Sequence, residues 1–145
     1  MSYHSRILVM GLPGTGKTTF AEELRKQLVD KGYTVTWFNA DQVRSLYNDW
    51  DFSMEGRKRQ SERMRSLGTK SMTDFTICDF VAPTKEIRNI FSADYVIWMD
   101  TEEKSIYEDT NSVFENPDFG EYHYRVKVKD ASNTVPTCVS DILPL

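Results

Sequence analysis

Gly11-Leu12-Pro13-Gly14-Thr15-Gly16-Lys17-Thr18 is the stretch that decides how this chain of 145 residues is read. Its spacing fits G-x-x-x-x-G-K-[ST], a loop whose backbone N–H groups cradle phosphate oxygens, and the pattern counts only where it leaves a strand and opens a helix. Both neighbours agree. Ile7-Leu8-Val9-Met10 is an apolar run ending at Gly11, and residues 18–31 repeat Phe20, Ala21, Leu24 and Leu28 at helical steps before Gly32 stops them. Gly14 and Gly16 let successive N–H groups turn inward at a helix N-terminus, whose dipole favours an anion. Gly11, Pro13, Gly14, Thr15, Gly16, Lys17, Thr18 and Thr19 are therefore expected to bind a nucleoside triphosphate, with Lys17 on the β- and γ-phosphates and Thr18 a ligand of Mg2+. The plain alternative is a glycine-rich turn that merely caps a helix, and the lysine and threonine in register count against it. A dinucleotide-binding loop fails, because Thr19 stands at the third glycine position.

Composition sets the frame around the loop. The length fits one domain over 1–145. Hydrophobic residues make up 39% of the chain, yet no apolar run comes near a membrane span, and no apolar signal core follows the N-terminus. Cys78 and Cys138 are far apart, which fits reduced thiols in a cytoplasmic protein better than a disulfide framework or a metal site. A net charge of −4 makes nucleic acid an unfavoured partner.

Further along, 34–39 is β-branched and aromatic, a second strand with Asp41 just beyond it at the phosphate end of the sheet. Helices are expected over 41–47 and 55–70, the second carrying Arg57, Lys58, Arg59, Arg63, Arg65 and Lys70. A strand over 75–81, a helix over 83–90, strands over 95–99 and 122–128 and a closing helix over 135–143 follow. Strands alternating with helices imply right-handed crossovers. The expected fold is thus an α/β P-loop NTPase of the nucleotide kinase type: a parallel five-stranded sheet with helices on both faces and ligands at the strands' carboxyl ends.

The loop, then Asp41-x-x-Arg44, then Phe52-Ser53 followed by Arg57, then Phe80-Val81-Ala82-Pro83, resemble in order and spacing the adenylylsulfate kinase family over residues 5–100. The resemblance implies ATP as donor, Mg2+, and adenosine 5′-phosphosulfate as a small-molecule acceptor phosphorylated on its ribose 3′-hydroxyl. It places Asp41, Arg44, Phe52 and Arg57, with Phe80, Val81, Ala82 and Pro83, around the acceptor. Asp41 is then general base, or a carboxylate one water removed from magnesium; as an acid at a helix start it could equally be an N-cap. Arg44 and Arg57 offer guanidinium forks to phosphate or sulfate oxygens, and would otherwise be surface residues. Phe52 stacks on the acceptor base or packs in the core. Asp79 stands on the third strand, where many phosphate-loop enzymes orient magnesium with an acid, although this family usually has a neutral residue there.

The sequence also departs from that family. The basic lid segment Arg-Asp-x-Lys-Gly has no counterpart; residues 100–121 hold eight acids against Lys104, a net −7 that leaves +3 for the rest. Such an acidic, lid-like segment repels a triphosphate unless it lies away from the site or meets a cation-bearing acceptor. The family's Asp-Arg pair reads Gly56-Arg57, and its asparagine position reads Gln60. Three readings stay open: a small-molecule kinase, a kinase for a hydroxyl in nucleic acid that tracks phosphates with the basic helix, and a non-catalytic nucleotide-binding module. No Asn-Lys-x-Asp guanine reader occurs, which favours adenine. A homodimer is left open as an alternative to a monomer.

Overall fold

The computed structural model describes residues 5–143, so the expected domain over 1–145 reaches beyond the described residues at both ends. β1 (Ser5–Met10) enters the loop and α1 (Lys17–Asp30) leaves it. β2 (Val35–Asn39), α2 (Ala40–Tyr47), α3 (Met54–Lys70), β3 (Phe75–Asp79), α4 (Lys85–Phe91), β4 (Tyr95–Met99), α5 (Glu108–Val113), β5 (Tyr124–Val126) and α6 (Ala131–Ile142) follow. The five strands are all parallel, in the order β2-β3-β1-β4-β5.

Alternation along the central strands divides the core into two layers. Ile7 and Val9 of β1, with Ile77 and Ile97 from its neighbours, face Phe20, Ala21, Leu24 and Leu28 of α1 and Val135, Cys138 and Val139 of α6. Leu8, Met10, Cys78 and Trp98 point the other way, against Met64 of α3 and Ile87 and Phe91 of α4. A one-residue slip of β1 would exchange the two sets, so burial on both faces fixes its register. Each fully buried Leu, Ile or Phe adds about 1.5–3 kcal/mol of burial free energy, and these layers supply the driving force for the sheet. β1 lies between β3 and β4, and the chain reverses its direction of travel across the sheet there. The crevice at that reversal opens at the carboxyl end of β1, where Gly11 begins the loop.

The expected boundaries move where side chains replace the backbone pattern. β3 ends at Asp79 rather than 81, because Ala82 turns at φ 47. α4 begins at Lys85 rather than Pro83: the Thr84 hydroxyl caps it by accepting from the Ile87 N–H at 3.1 Å. β5 covers three residues instead of 122–128, since the Val96 N–H donates to His123 Nδ1 at 2.9 Å where a ladder carbonyl would have stood. α6 starts at Ala131 rather than Val135, nucleated by the Asp130 carbonyl, which accepts from the N–H groups of Asn133 and Thr134. Pro136 lies within α6 and takes one intrahelical bond from it. α5 was not expected at all, for its six residues carry no apolar periodicity.

Candidate active site

The loop is built around the Leu12 carbonyl. It accepts from Thr15 Oγ1 and from the Lys17 ammonium, each at 2.8 Å, so the loop's own backbone holds both side chains. Gly14 and Gly16 take φ of 82 and 93, which lets the intervening N–H groups point inward. Burial lowers the Lys17 pKa to about 8, against the opposing pull of the Asp79 and Asp41 carboxylates. Thr101 Oγ1 closes the loop from outside by donating to the Thr15 carbonyl at 2.9 Å.

Behind the loop, the register of β2 and β3 sets Asn39 opposite Asp79. Asp79 is buried, and burial raises its pKa, resisted by hydrogen bonds from Trp37 and Asn39. Trp37 Nε1 donates to it at 2.6 Å; Asn39 Nδ2 donates to it at 3.1 Å and reaches the Thr18 hydroxyl at 3.2 Å. The same Asn39 caps α2, its Oδ1 accepting from the N–H groups of Asp41 and Gln42. Asp41 is therefore not the cap: it sits exposed in the first turn, close enough for its charge to act on Lys17. Trp37 and Asn39 were missed in the sequence. Asn39 did carry a signal, as an N-cap residue type between a strand and a helix.

Arg44, Phe52 and Arg57 converge at the other end of α2. The Phe52 ring is 47% exposed, which sets aside core packing, and it has Arg44 Cζ at 4.3 Å and Arg57 Cζ at 5.6 Å from its centre. Both arginines are buried, not surface residues. Arg44 Nη1 donates to the Asp49 and Asp51 carbonyls, and Arg57 donates to the Phe52 carbonyl and to Thr110 Oγ1. Phe80 packs its ring on Phe91 in the core. The Val81 carbonyl accepts from the Gly11 N–H, and the Ala82 and Pro83 carbonyls accept from Arg88, so residues 80–83 act on their surroundings through the backbone.

The departure at Gly56 has a steric cause. A Cβ there would stand 2.2 Å from the Asp51 carbonyl oxygen and 2.6 Å from the Asp51 carboxyl carbon. The carboxylate of Asp51 thus fills the space that an acid at position 56 would need, and Arg59 holds it at 3.1 Å. Gln60 donates to the Ala40 carbonyl at 3.2 Å and ties α3 to the start of α2.

The acidic segment over 100–121 lies along the body, and four of its eight acids are paired with bases elsewhere in the fold. Asp100 meets Arg125, Glu102 meets Lys129, Asp109 meets Arg57, and Glu121 meets Lys85 and Arg88. Two cavities adjoin the loop. One, of about 140 Å³, lies between Leu12 and the acids Asp100, Glu102 and Glu103. The other, of about 120 Å³, is lined by Gly16, Thr19, Phe20, Val126, Val128 and Lys129, and offers an apolar slot beside the phosphate loop.

A family model described as adenylylsulphate kinase matches residues 4–114. An adenylyl-sulfate kinase of Halothermothrix orenii is 39% identical over 82 residues, 54% of this chain and 44% of that protein. Another, from Thermodesulfovibrio yellowstonii, is 30% identical over 126 residues, 84% of this chain and 53% of that protein. The chain thus spans about half the length of the curated relatives it matches. Among solved structures, the Mycobacterium tuberculosis APS kinase in complex with AMPPNP and APS superposes with a TM-score of 0.83 at 16% identity, covering 98% of this chain and 99% of that one. Shikimate kinase from Aquifex aeolicus superposes with a TM-score of 0.66 at 15% identity, covering 94% and 95%. Both likenesses concern the fold, which is that of the P-loop kinases.

Proposed function

This chain belongs to the adenylylsulphate kinase family, and from that premise we propose that it transfers the γ-phosphate of ATP to the ribose 3′-hydroxyl of adenosine 5′-phosphosulfate. The observation that carries the reading is the file of Lys17, Thr18, Asn39 and buried Asp79 at the end of β1 and β3, beside Asp41. Phosphoryl transfer asks a protein mainly for positioning and charge neutralisation, which this file supplies. Lys17 offers its ammonium to the β- and γ-phosphates. The O3′–Pγ bond forms as the bond from Pγ to the β,γ-bridging oxygen breaks; ADP leaves with that electron pair, and the hydroxyl proton passes to the Asp41 carboxylate.

The donor set suits magnesium: the Thr18 hydroxyl and the Asp79 carboxylate, both hydrogen-bonded by the Asn39 amide, are hard oxygens that would hold the ion. Held there, it would supply positive charge that offsets that of the phosphates. Phe52, between two guanidinium groups, supports a stacked acceptor base with its anion toward Arg57. The apolar slot beside Gly16 supports the adenine of the donor.

The nucleic-acid reading loses ground on α3. Arg59 and Arg63 are paired with Asp49, Lys58 with Glu86 and Arg57 with Asp109, so four of its six cations are engaged within the fold, which leaves exposed Arg65 and Lys70 as a poor phosphate-tracking face. No helix among the described residues is long and apolar enough to cross a membrane. Free, buried Cys78 and Cys138 support a cytoplasmic setting.

ADP release from Mg-ATP tests the assignment. It should depend on adenosine 5′-phosphosulfate, vanish in Lys17→Ala, and fall about a hundredfold or more in Asp41→Asn with ATP binding retained. Undiminished turnover in Asp41→Asn would reduce Asp41 to a surface acid, and undiminished turnover in Lys17→Ala would remove the loop from the reaction.

A further inference from the structure

α5 delivers two neighbouring side chains to one guanidinium. Thr110 is buried, and its hydroxyl accepts from Arg57 Nη2 at 3.0 Å. Asp109 Oδ2 lies 3.7 Å from the same nitrogen, with Arg57 only 7% exposed and Asp109 72% exposed. Arg57 is further fixed by its Nε bond to the Phe52 carbonyl at 2.8 Å, so its position relative to the exposed Phe52 ring is set from two directions. The other acids near the ring are committed elsewhere: Asp49 to Arg59 and Arg63, and Asp51 to Arg59. Asp109 is thus the carboxylate that offsets the charge of Arg57, and it does so from the solvent side.

We propose that Asp109 sets the charge specificity of the acceptor site, with Thr110 as the positioning residue that holds Arg57 in place for it. This inference rests on the acceptor site at Phe52 argued above. An acceptor anion directed at Arg57 competes with the Asp109 carboxylate for the same Nη2, and a more highly charged acceptor pays a larger repulsion from it. Arg57 without its carboxylate would take any anionic nucleotide more tightly. With it, binding leans more on stacking against Phe52 and less on charge, and the anionic product leaves more readily. The site thereby recognises a nucleotide-type acceptor by its base and ribose first, with its acid group second.

Steady-state kinetics with Mg-ATP and adenosine 5′-phosphosulfate in wild type, Asp109→Asn and Asp109→Lys tests this. Because Asp109 is exposed, the expected drop in KM for adenosine 5′-phosphosulfate is about two- to fivefold for Asp109→Asn, with a larger drop for Asp109→Lys. KM for ATP should stay unchanged, and the differences should shrink in about 0.5 M salt. A merely structural role for Asp109 gives neither the order Lys, Asn, Asp nor the salt dependence. Equal KM values in an active wild type and its two variants, or a parallel shift in KM for ATP, would overturn the inference while leaving the kinase assignment intact. Absence of turnover dependent on adenosine 5′-phosphosulfate in all three would overturn both.

Discussion

Under the proposed function Lys17 is the residue on which donor binding turns, and its environment makes that binding sensitive to pH. Burial has lowered its pKa to about 8 in the free protein, while the phosphates of a bound nucleotide favour the ammonium form and raise it. A group whose pKa rises on binding contributes affinity that is complete below the free value and lost as pH climbs through it. Mg-ATP affinity should therefore be level between pH 7 and 7.5 and fall by up to about tenfold per unit above pH 8, with Lys17→Arg flattening the decline. Calorimetric titration across that range checks it, and constant affinity to pH 9.5 would contradict it. Lys17 and Thr18 were legible in the sequence because the loop's geometry is encoded in eight consecutive residues. Asn39 was not, since its link between Thr18 and Asp79 arises only when β2 pairs with β3 across forty residues of chain.

At the scale of elements, the segment over 100–121 behaves as a strap fastened by charge. Its acids reach five bases on four stretches of the fold: Arg57 on α3, Lys85 and Arg88 on α4, Arg125 on β5 and Lys129 before α6. Backbone bonds add to these, with the Glu115 N–H donating to the Pro83 carbonyl and Arg88 donating to the Glu115 carbonyl. Exposed ion pairs are weak singly and screened by salt. Tryptic cleavage at exposed Lys104 should accordingly quicken about threefold or more between 0.05 and 0.5 M salt, the ion pairs loosening together. A rate indifferent to salt would mean that backbone and apolar contacts alone hold the strap. The sequence read this segment by its net charge and expected repulsion of the triphosphate; the pairings that answer that charge depend on tertiary neighbours and left no local trace. Element type was legible where a helical period or an unbroken apolar run stood out, as in α1 and β4. Boundaries at β5 and α4 moved because single side chains, His123 and Thr84, took over backbone partners.

For the molecule as a whole, the alternation of strands and helices led correctly to a parallel five-stranded sheet covered on both faces. Strand order followed from packing rather than from sequence, with β1 central because its four consecutive apolar residues demand burial on both sides. That central position puts the phosphate loop between the Asp79 side of the sheet and the start of the acidic strap. In the proposed reaction, donor and acceptor then approach from the same end of the sheet. The family model covers residues 4–114, so Phe52, Arg57 and its partner Asp109 all lie within the match, while the strap continues past its end. Phosphorus NMR of a mixture of the protein, Mg-ATP and adenosine 5′-phosphosulfate tests the central claim most directly. The account predicts a ribose 3′-phosphomonoester appearing in equal amount with ADP. Adenosine 5′-phosphosulfate left unchanged while ATP binds, with any ADP matched by inorganic phosphate, would contradict it.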